Sequence, residues 1–206
     1  MKIKVCGMVS PGNLEQVCAL QPDYVGFIFY AASKRYVGDS PDPALFRVPG
    51  AGIAKVGVFV NESLEKVRSV FEAGQVQMIQ LHGDESPEYC RLLSSEGLPL
   101  IKALNARTDP ELLKEYEEYV EFFLFDTPDP GYGGSGRKFD WNELKQIPSS
   151  FPFLLSGGIG ADDADAVKEV KHAGLLGVDL NSAFESSPGI KRVEELKKFM
   201  QNISKK

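Results

Sequence analysis

The chain has 206 residues, 43 % of them hydrophobic and 25 % charged, which describes an ordinary globular protein with room for one sizeable core and, at this length, a single domain over 1–206. Acidic side chains number 29 against 23 basic ones, so the formal charge is −6 and no basic field is present to attract a nucleic-acid backbone or an anionic membrane surface. Every apolar run falls short of the roughly 18 residues a membrane span needs, and 3 cysteines with 2 histidines supply neither a paired disulfide set nor a metal cluster.

From the N-terminus onward, short apolar, β-branched or aromatic runs alternate with segments of helical spacing. Strands are predicted over 2–6, 24–29, 53–60, 78–82, 99–103, 120–126, 153–156 and 176–180. Helical segments are predicted over 13–20, 43–46, 64–72, 87–93, 110–116, 142–146, 162–171 and 191–200. Most of the strands are apolar on both faces, as parallel strands covered by helices must be. Ser63, Ser86, Asp109 and Asp140 stand at N-cap positions, and Pro87 and Pro110 sit where a first helical turn tolerates a missing N–H. The opening residues alternate charged and apolar side chains and do not form a secretion signal, so a cytoplasmic location is expected.

Eight βα units fit either an open doubly wound sheet or a closed barrel. The turn after the first strand, Cys6-Gly7-Met8-Val9-Ser10-Pro11-Gly12, lacks the G-x-G-x-x-G pattern of the open sheet, so the predicted fold is α/β, a closed (β/α)8 barrel. In such a barrel the chemistry gathers where the strands end. The predicted strands end in Cys6, Asn61, Gln80 with His82, Lys102, Asp126, Ser156-Gly157-Gly158, and Asp179 with Asn181-Ser182. Burying each of these polar groups unpaired would cost on the order of 1–3 kcal/mol, so their concentration locates a site.

Strand parity puts Lys2, Lys4 and Cys6 on one face and Ile3 and Val5 on the other, against the helices. Cys6 then points into the barrel mouth with Lys4 one layer below, either as a small buried hydrophobe or as a thiol favoured as thiolate by the lysine. Asp126 shares a face with Phe122 and Leu124, and is either a partly desolvated general acid or a turn aspartate heading the loop at Thr127-Pro128. Gly157-Gly158 and Asn181-Ser182 form either plain turns or an oxyanion cradle of backbone N–H groups where barrels commonly hold phosphate. The run Gly133-Gly134-Ser135-Gly136 would add to that cradle or cover it. Arg35, in Ser33-Lys34-Arg35-Tyr36, is either a bidentate carboxylate clamp or part of a solvated loop. His82 beside Gln80 either orients a substrate or sits satisfied at the rim, and His172 is expected to act as a helix C-terminal dipole partner.

Taken together, KIKVCGM, DYVGFIFYAASKRYV, KVGVFVNE, QLHGDES, IKAL, GGSGRKFDW, LLSGGI and GVDLNSAFESSPGIK resemble, in order and spacing from Lys2 to about Lys198, the phosphoribosylanthranilate isomerase family. The resemblance implies a (β/α)8 barrel that, without cofactor or metal, carries out an Amadori rearrangement of N-(5-phosphoribosyl)anthranilate in tryptophan biosynthesis. It implies Cys6 as general base, Asp126 as general acid, Arg35 for the anthranilate carboxylate, and Gly157, Gly158, Asn181 and Ser182 for phosphate. Gln80, His82 and Asp179 are implied as substrate-side polar groups of unassigned role. Two departures from the family are an extra Gly131-Tyr132 before GGSG, which would alter the loop cover over the site, and Lys191-Arg192 where the family usually has Lys-Asp, on a predicted helix start away from the chemistry.

Two other readings compete. A phosphopentose epimerase would need His and Asp metal ligands at several strand ends, and an indole-glycerol-phosphate synthase would need its catalytic lysine and glutamate at the early ones. A non-catalytic barrel binding a phosphorylated metabolite would be expected to lack Cys6 or Asp126. The expected partner is a small phosphorylated substrate, and the residues do not distinguish a monomer from a homodimer.

Overall fold

In the computed structural model, which describes residues 1–127 and 138–204, the eight predicted strands pair in chain order and close into a barrel. They are β1 (Lys2–Val5), β2 (Tyr24–Ile28), β3 (Ala54–Phe59), β4 (Met78–Leu81), β5 (Leu100–Asn105), β6 (Phe122–Asp126), β7 (Phe153–Leu155) and β8 (Leu175–Leu180). All neighbours run parallel, and β1 closes the ring against β8 with Lys4 opposite Asp179 and Val5 opposite Leu180.

Helices α1 (Pro11–Cys18), α2 (Ala44–Arg47), α3 (Leu64–Glu72), α4 (Pro87–Ser95), α5 (Pro110–Glu117), α6 (Ala164–Lys168) and α7 (Val193–Ser204) fill the connections. Their starts follow local chemistry. Ser63, Ser86 and Asp109 accept from Lys66 N, Tyr89 N and Glu111 N at 3.2, 3.2 and 2.9 Å, satisfying N–H groups that the first turn leaves orphaned. Strand parity divides the apolar residues into two cores. Val56, Ile101, Ala103, Phe122, Leu124 and Leu154 fill the barrel, while the outward set, including Ile3, Val5, Phe27 and Phe125, packs in the layer that holds the helices.

Several predicted helices take a different form. Residues 142–146 lie in a 3₁₀ helix, Trp141–Gln146, begun by Asp140 accepting from Asn142 N. The 162–171 segment splits into a 3₁₀ turn, Ala161–Asp163, followed by the short α6. His172 therefore caps no long helix. Its Nε2 donates to Ile147 O at 2.9 Å, its Nδ1 accepts from Gly174 N at 3.0 Å, and its ring meets Phe153 edge-on, so it pins the approach to β7.

The largest departure lies at 185–191. Residues 185–190, where no element is expected, and Lys191, the expected start of a helix, form a hairpin, β9 (Glu185–Ser187) against β10 (Ile190–Lys191), turned at Pro188-Gly189, and α7 begins only at Val193. The hairpin is tied to α1, where Asn13 donates to Lys191 O at 3.0 Å and accepts from Lys191 N at 2.7 Å.

Lys102 is also placed differently from its expected position among the strand-end groups of the mouth. Its neighbours Ile101 and Ala103 belong to the inner core, so Lys102 points outward. Its Nζ donates to Glu85 Oε2 and Gly83 O, both at 2.7 Å, and to Leu81 O at 3.3 Å. Glu85 in turn accepts from the backbone N–H groups of Asn61 and Gly83, so the pair clasps the loops that follow β3 and β4.

Candidate active site

The C-terminal ends of the strands open on one side of the barrel. Cys6 follows β1 directly, held by its N–H donating to Leu180 O at 2.9 Å, and its side chain is buried. The sulfur has room because β2 carries Gly26 opposite it: a β-carbon there would lie 2.6 Å from Sγ. Beneath it Lys4 is fully buried and donates to Asp179 Oδ1 at 2.9 Å, an ion pair across the strands that close the barrel. Burial pulls the Lys4 pKa down, but the charges and hydrogen bonds of Asp179 and Cys6 together outweigh it and hold Lys4 above the ordinary lysine value. Burial pushes the Cys6 thiol up, opposed chiefly by the charge of Lys4 and supported by that of Asp179; Lys191 also pulls it down. The expected lysine under the thiol is in place, but its effect is to temper a rise caused by desolvation.

Asp126 ends β6, its side chain 18 % exposed. It is not surrounded by apolar groups alone, as strand parity had led one to expect. Oδ1 accepts from Thr127 N at 2.7 Å, and Oδ2 lies 3.4 Å from His82 Nε2. Gln80 Nε2 donates to His82 Nδ1 at 2.7 Å, which leaves the ring proton on the nitrogen facing Asp126. Gln80 itself is buried inside the barrel, and its Oε1 has no partner among the described residues. Asp179, whose Oδ2 receives Ser156 Oγ at 3.4 Å, feels the charges of Lys4, Asp126 and His82 together. The thiol side and the carboxyl side are thus linked electrostatically through Asp179.

Gly157 and Gly158 follow β7 with φ of +87° and +67°, conformations in which successive N–H groups can converge on an anion. Next to them, Asn181 and Ser182 follow β8, with Ser182 opening a 3₁₀ turn. The Asn181 carboxamide is oriented by Lys191: its Oδ1 accepts from Lys191 Nζ at 2.8 Å. It also borders Gly7, where φ is +77° and a β-carbon would come within 2.9 Å of that oxygen and 2.6 Å of Arg35 Cδ. Gly7 is thereby what lets Arg35 and Asn181 close over the end of β1. Arg35 is not a solvated loop residue; it is 9 % exposed and bound by Glu185. Gly131-Tyr132 and the run Gly133-Gly134-Ser135-Gly136 lie outside the described residues.

Three residues of this rim escaped the sequence reading. Lys191 stands as the first residue of the predicted helix and Glu185 falls in no predicted element, although Pro188-Gly189 between two short polar-apolar runs is a hairpin signal. Arg192, expected to stand away from the chemistry, donates to the backbone carbonyls of Glu185 and Ala183 at 2.5 and 2.7 Å and so secures the hairpin.

A closed parallel (β/α)8 barrel whose strand ends present a thiol, a carboxyl, a clamped guanidinium and paired glycines belongs to the barrel enzymes that act at their C-terminal face. Residues 3–202 match the family model described as N-(5'phosphoribosyl)anthranilate (PRA) isomerase. An N-(5'-phosphoribosyl)anthranilate isomerase of Parabacteroides distasonis is 45 % identical over 206 residues, covering 98 % of this chain and 93 % of the relative. The crystal structure of phosphoribosyl anthranilate isomerase from Thermus thermophilus superposes with a TM-score of 0.83 at 26 % identity, covering 99 % and 98 % of the two chains. A structure of the isomerase in complex with reduced 1-(o-carboxyphenylamino)-1-deoxyribulose 5-phosphate superposes with a TM-score of 0.78 at 30 % identity, covering 98 % of each chain. The chain belongs to the N-(5'-phosphoribosyl)anthranilate isomerase family.

Proposed function

We infer that this chain catalyses the Amadori rearrangement of N-(5-phosphoribosyl)anthranilate to 1-(2-carboxyphenylamino)-1-deoxyribulose 5-phosphate in tryptophan biosynthesis. The observation that carries the reading at the level of residues is the pairing of a buried thiol at the end of β1 with a carboxyl at the end of β6, both coupled to Asp179 at the C-terminal face of the barrel. Asp126 delivers a proton to the furanose ring oxygen while the bond from that oxygen to C1 breaks, pushed by the anilino nitrogen lone pair, to give an open Schiff base. Cys6, as thiolate, removes the proton from C2. The electrons left behind form the C1–C2 double bond and neutralise the nitrogen, and the enolamine tautomerises to the ketone. Every proton and electron pair moved belongs to the substrate, Asp126 or Cys6, so the sequence of steps calls for no cofactor and no metal.

Arg35 receives the anthranilate carboxylate and the turns at Gly157-Gly158 and Asn181-Ser182 receive the phosphate, local donors that work against a protein charge of −6. Lys191 holds the Asn181 carboxamide through Oδ1, which leaves its Nδ2 group as a side-chain donor beside the backbone N–H groups. His82 keeps its proton toward Asp126 and stabilises the carboxylate that forms after proton delivery. The buried Gln80 Oε1 is an acceptor suited to a sugar hydroxyl. No described helix is long and apolar enough to cross a membrane, and Cys6, Cys18 and Cys90 are all unpaired, which suits a reducing cytoplasm.

The test is the loss of anthranilate-type fluorescence when the substrate is generated in situ. Asp126→Asn should lower kcat by about 100-fold to 10,000-fold, the usual worth of a positioned acid, while binding of the reduced product analogue changes by no more than about threefold. No fluorescence decay with wild-type protein would favour the metabolite-binding reading.

A pH profile checks the thiol. Cys6 acts only when deprotonated, so activity rises as pH rises through its pKa, and burial places that acid limb above the range of an ordinary thiol. Lys4→Met removes the opposing positive charge and should move the limb further up, whereas Asp179→Asn should move it down. A limb that stays put in both variants would remove Lys4 and Asp179 from control of the thiol.

A further inference from the structure

The hairpin missed in the sequence holds Glu185 against the loop that follows β2. Glu185 Oε1 and Oε2 accept from Arg35 Nε at 2.8 and 3.0 Å, and Oε2 accepts from Arg35 Nη2 at 2.6 Å. Its Oε1 also accepts from Lys191 Nζ at 2.6 Å and from Gly189 N at 3.1 Å. The Glu185 and Lys191 side chains are 5 % and 0 % exposed, so this is a built arrangement and not a surface ion pair. Burial alone would push the Glu185 carboxyl up, but the hydrogen bonds and charges of Arg35 and Lys191 hold it below the ordinary glutamate value. Burial lowers Lys191, opposed by Glu185, and its pairing with Asn181 and Glu185 ties the hairpin to the loop that follows β8.

A guanidinium has two edges that can each receive a carboxylate in parallel fashion. Glu185 occupies the edge formed by Nε and Nη2, and among the described residues no bond is made through Nη1. We propose that Glu185 is a specificity-determining positioning residue: by gripping one edge of Arg35 it aims the other edge at the aryl carboxylate of the substrate. This rests on the reading in which Arg35 receives that carboxylate. The local charges agree with it. Arg35 and Lys191 are cations and Glu185 an anion, so the trio carries one net positive charge, matched to one substrate carboxylate.

The experiment compares affinities for reduced 1-(o-carboxyphenylamino)-1-deoxyribulose 5-phosphate and for its counterpart lacking the ring carboxylate, by fluorescence titration. Their ratio reads recognition of the carboxylate alone. The double variant Glu185→Gln/Lys191→Met keeps the trio at one positive charge while removing the grip. It should lower the ratio by about tenfold, any change in phosphate binding through Asn181 cancelling because both analogues carry the phosphate, with an unchanged far-UV circular dichroism spectrum as evidence of an intact fold. Glu185→Asp, which keeps all the charges and shortens the reach, should lower the ratio in the same direction. Arg35→Gln should abolish the preference altogether. An unchanged or increased ratio in both Glu185 variants, with Arg35→Gln still losing it, overturns the role of Glu185 and leaves Arg35 in place. A ratio retained in Arg35→Gln overturns the carboxylate reading itself.

Discussion

Serine in place of Cys6 should lower turnover by about 100-fold to 10,000-fold, because a hydroxyl cannot supply the base that a thiol held near Lys4 supplies. The substitution is nearly isosteric. The space made by Gly26, the Lys4–Asp179 pair and the N–H bond from Cys6 to Leu180 O all survive it, so neither the fold nor the grip on ligand has a reason to fail. Steady-state kinetics with the in-situ substrate should therefore show a kcat collapse, with affinity for the reduced product analogue within about threefold of wild type. Near-normal turnover in Cys6→Ser would remove the thiol from the mechanism. Loss of analogue binding as well would show that Cys6 holds the site together.

Lys102→Met should destabilise the protein by about 3–5 kcal/mol, the cost of leaving a buried charge without its partner. Both members of the Lys102–Glu85 pair have side chains that are 1 % exposed, and their nitrogen and oxygen lie 2.7 Å apart. Removing the ammonium strands the carboxylate and the carbonyls of Leu81 and Gly83 in the layer between strands and helices. Urea unfolding followed by far-UV circular dichroism measures the loss, and a change below about 1 kcal/mol would mean that water reaches Glu85 when Lys102 is gone. Because Glu85 also receives Gly83 N, next to His82, the variant should raise local mobility beside Asp126 before it unfolds globally.

These two residues show how differently the sequence exposes its features. Cys6 was legible because it lies two residues beyond Lys4 on a strand of clear alternation, so its face follows from parity alone. Lys102 obeys the same parity, since Ile101 and Ala103 face inward, yet a lysine at the end of an apolar strand suggests a mouth and conceals an outward ion pair whose partner is 17 residues away. Asp126 was legible as the end of its strand, but the contact with His82 that gives it a polar setting crosses between β4 and β6, strands that are not neighbours in the barrel. Lys191 and Arg192 were misplaced because the helical spacing of α7 was extended two residues backward, and Glu185 was missed because strands of two and three residues carry too little alternation to read.

By itself the sequence determined the eight alternating units, the order of the strands, the parity of their faces and the helix starts at Ser63, Ser86 and Asp109, because each depends on residues a few positions apart and on local backbone chemistry. Only the tertiary structure decided which charge answers which. Lys4 meets Asp179 because the last strand closes on the first, Arg35 meets Glu185 across 150 positions of chain, and the thiol is governed by burial as much as by the lysine beneath it. Pairings of this kind depend on distance and on exclusion of water, and neither exists until the barrel is closed.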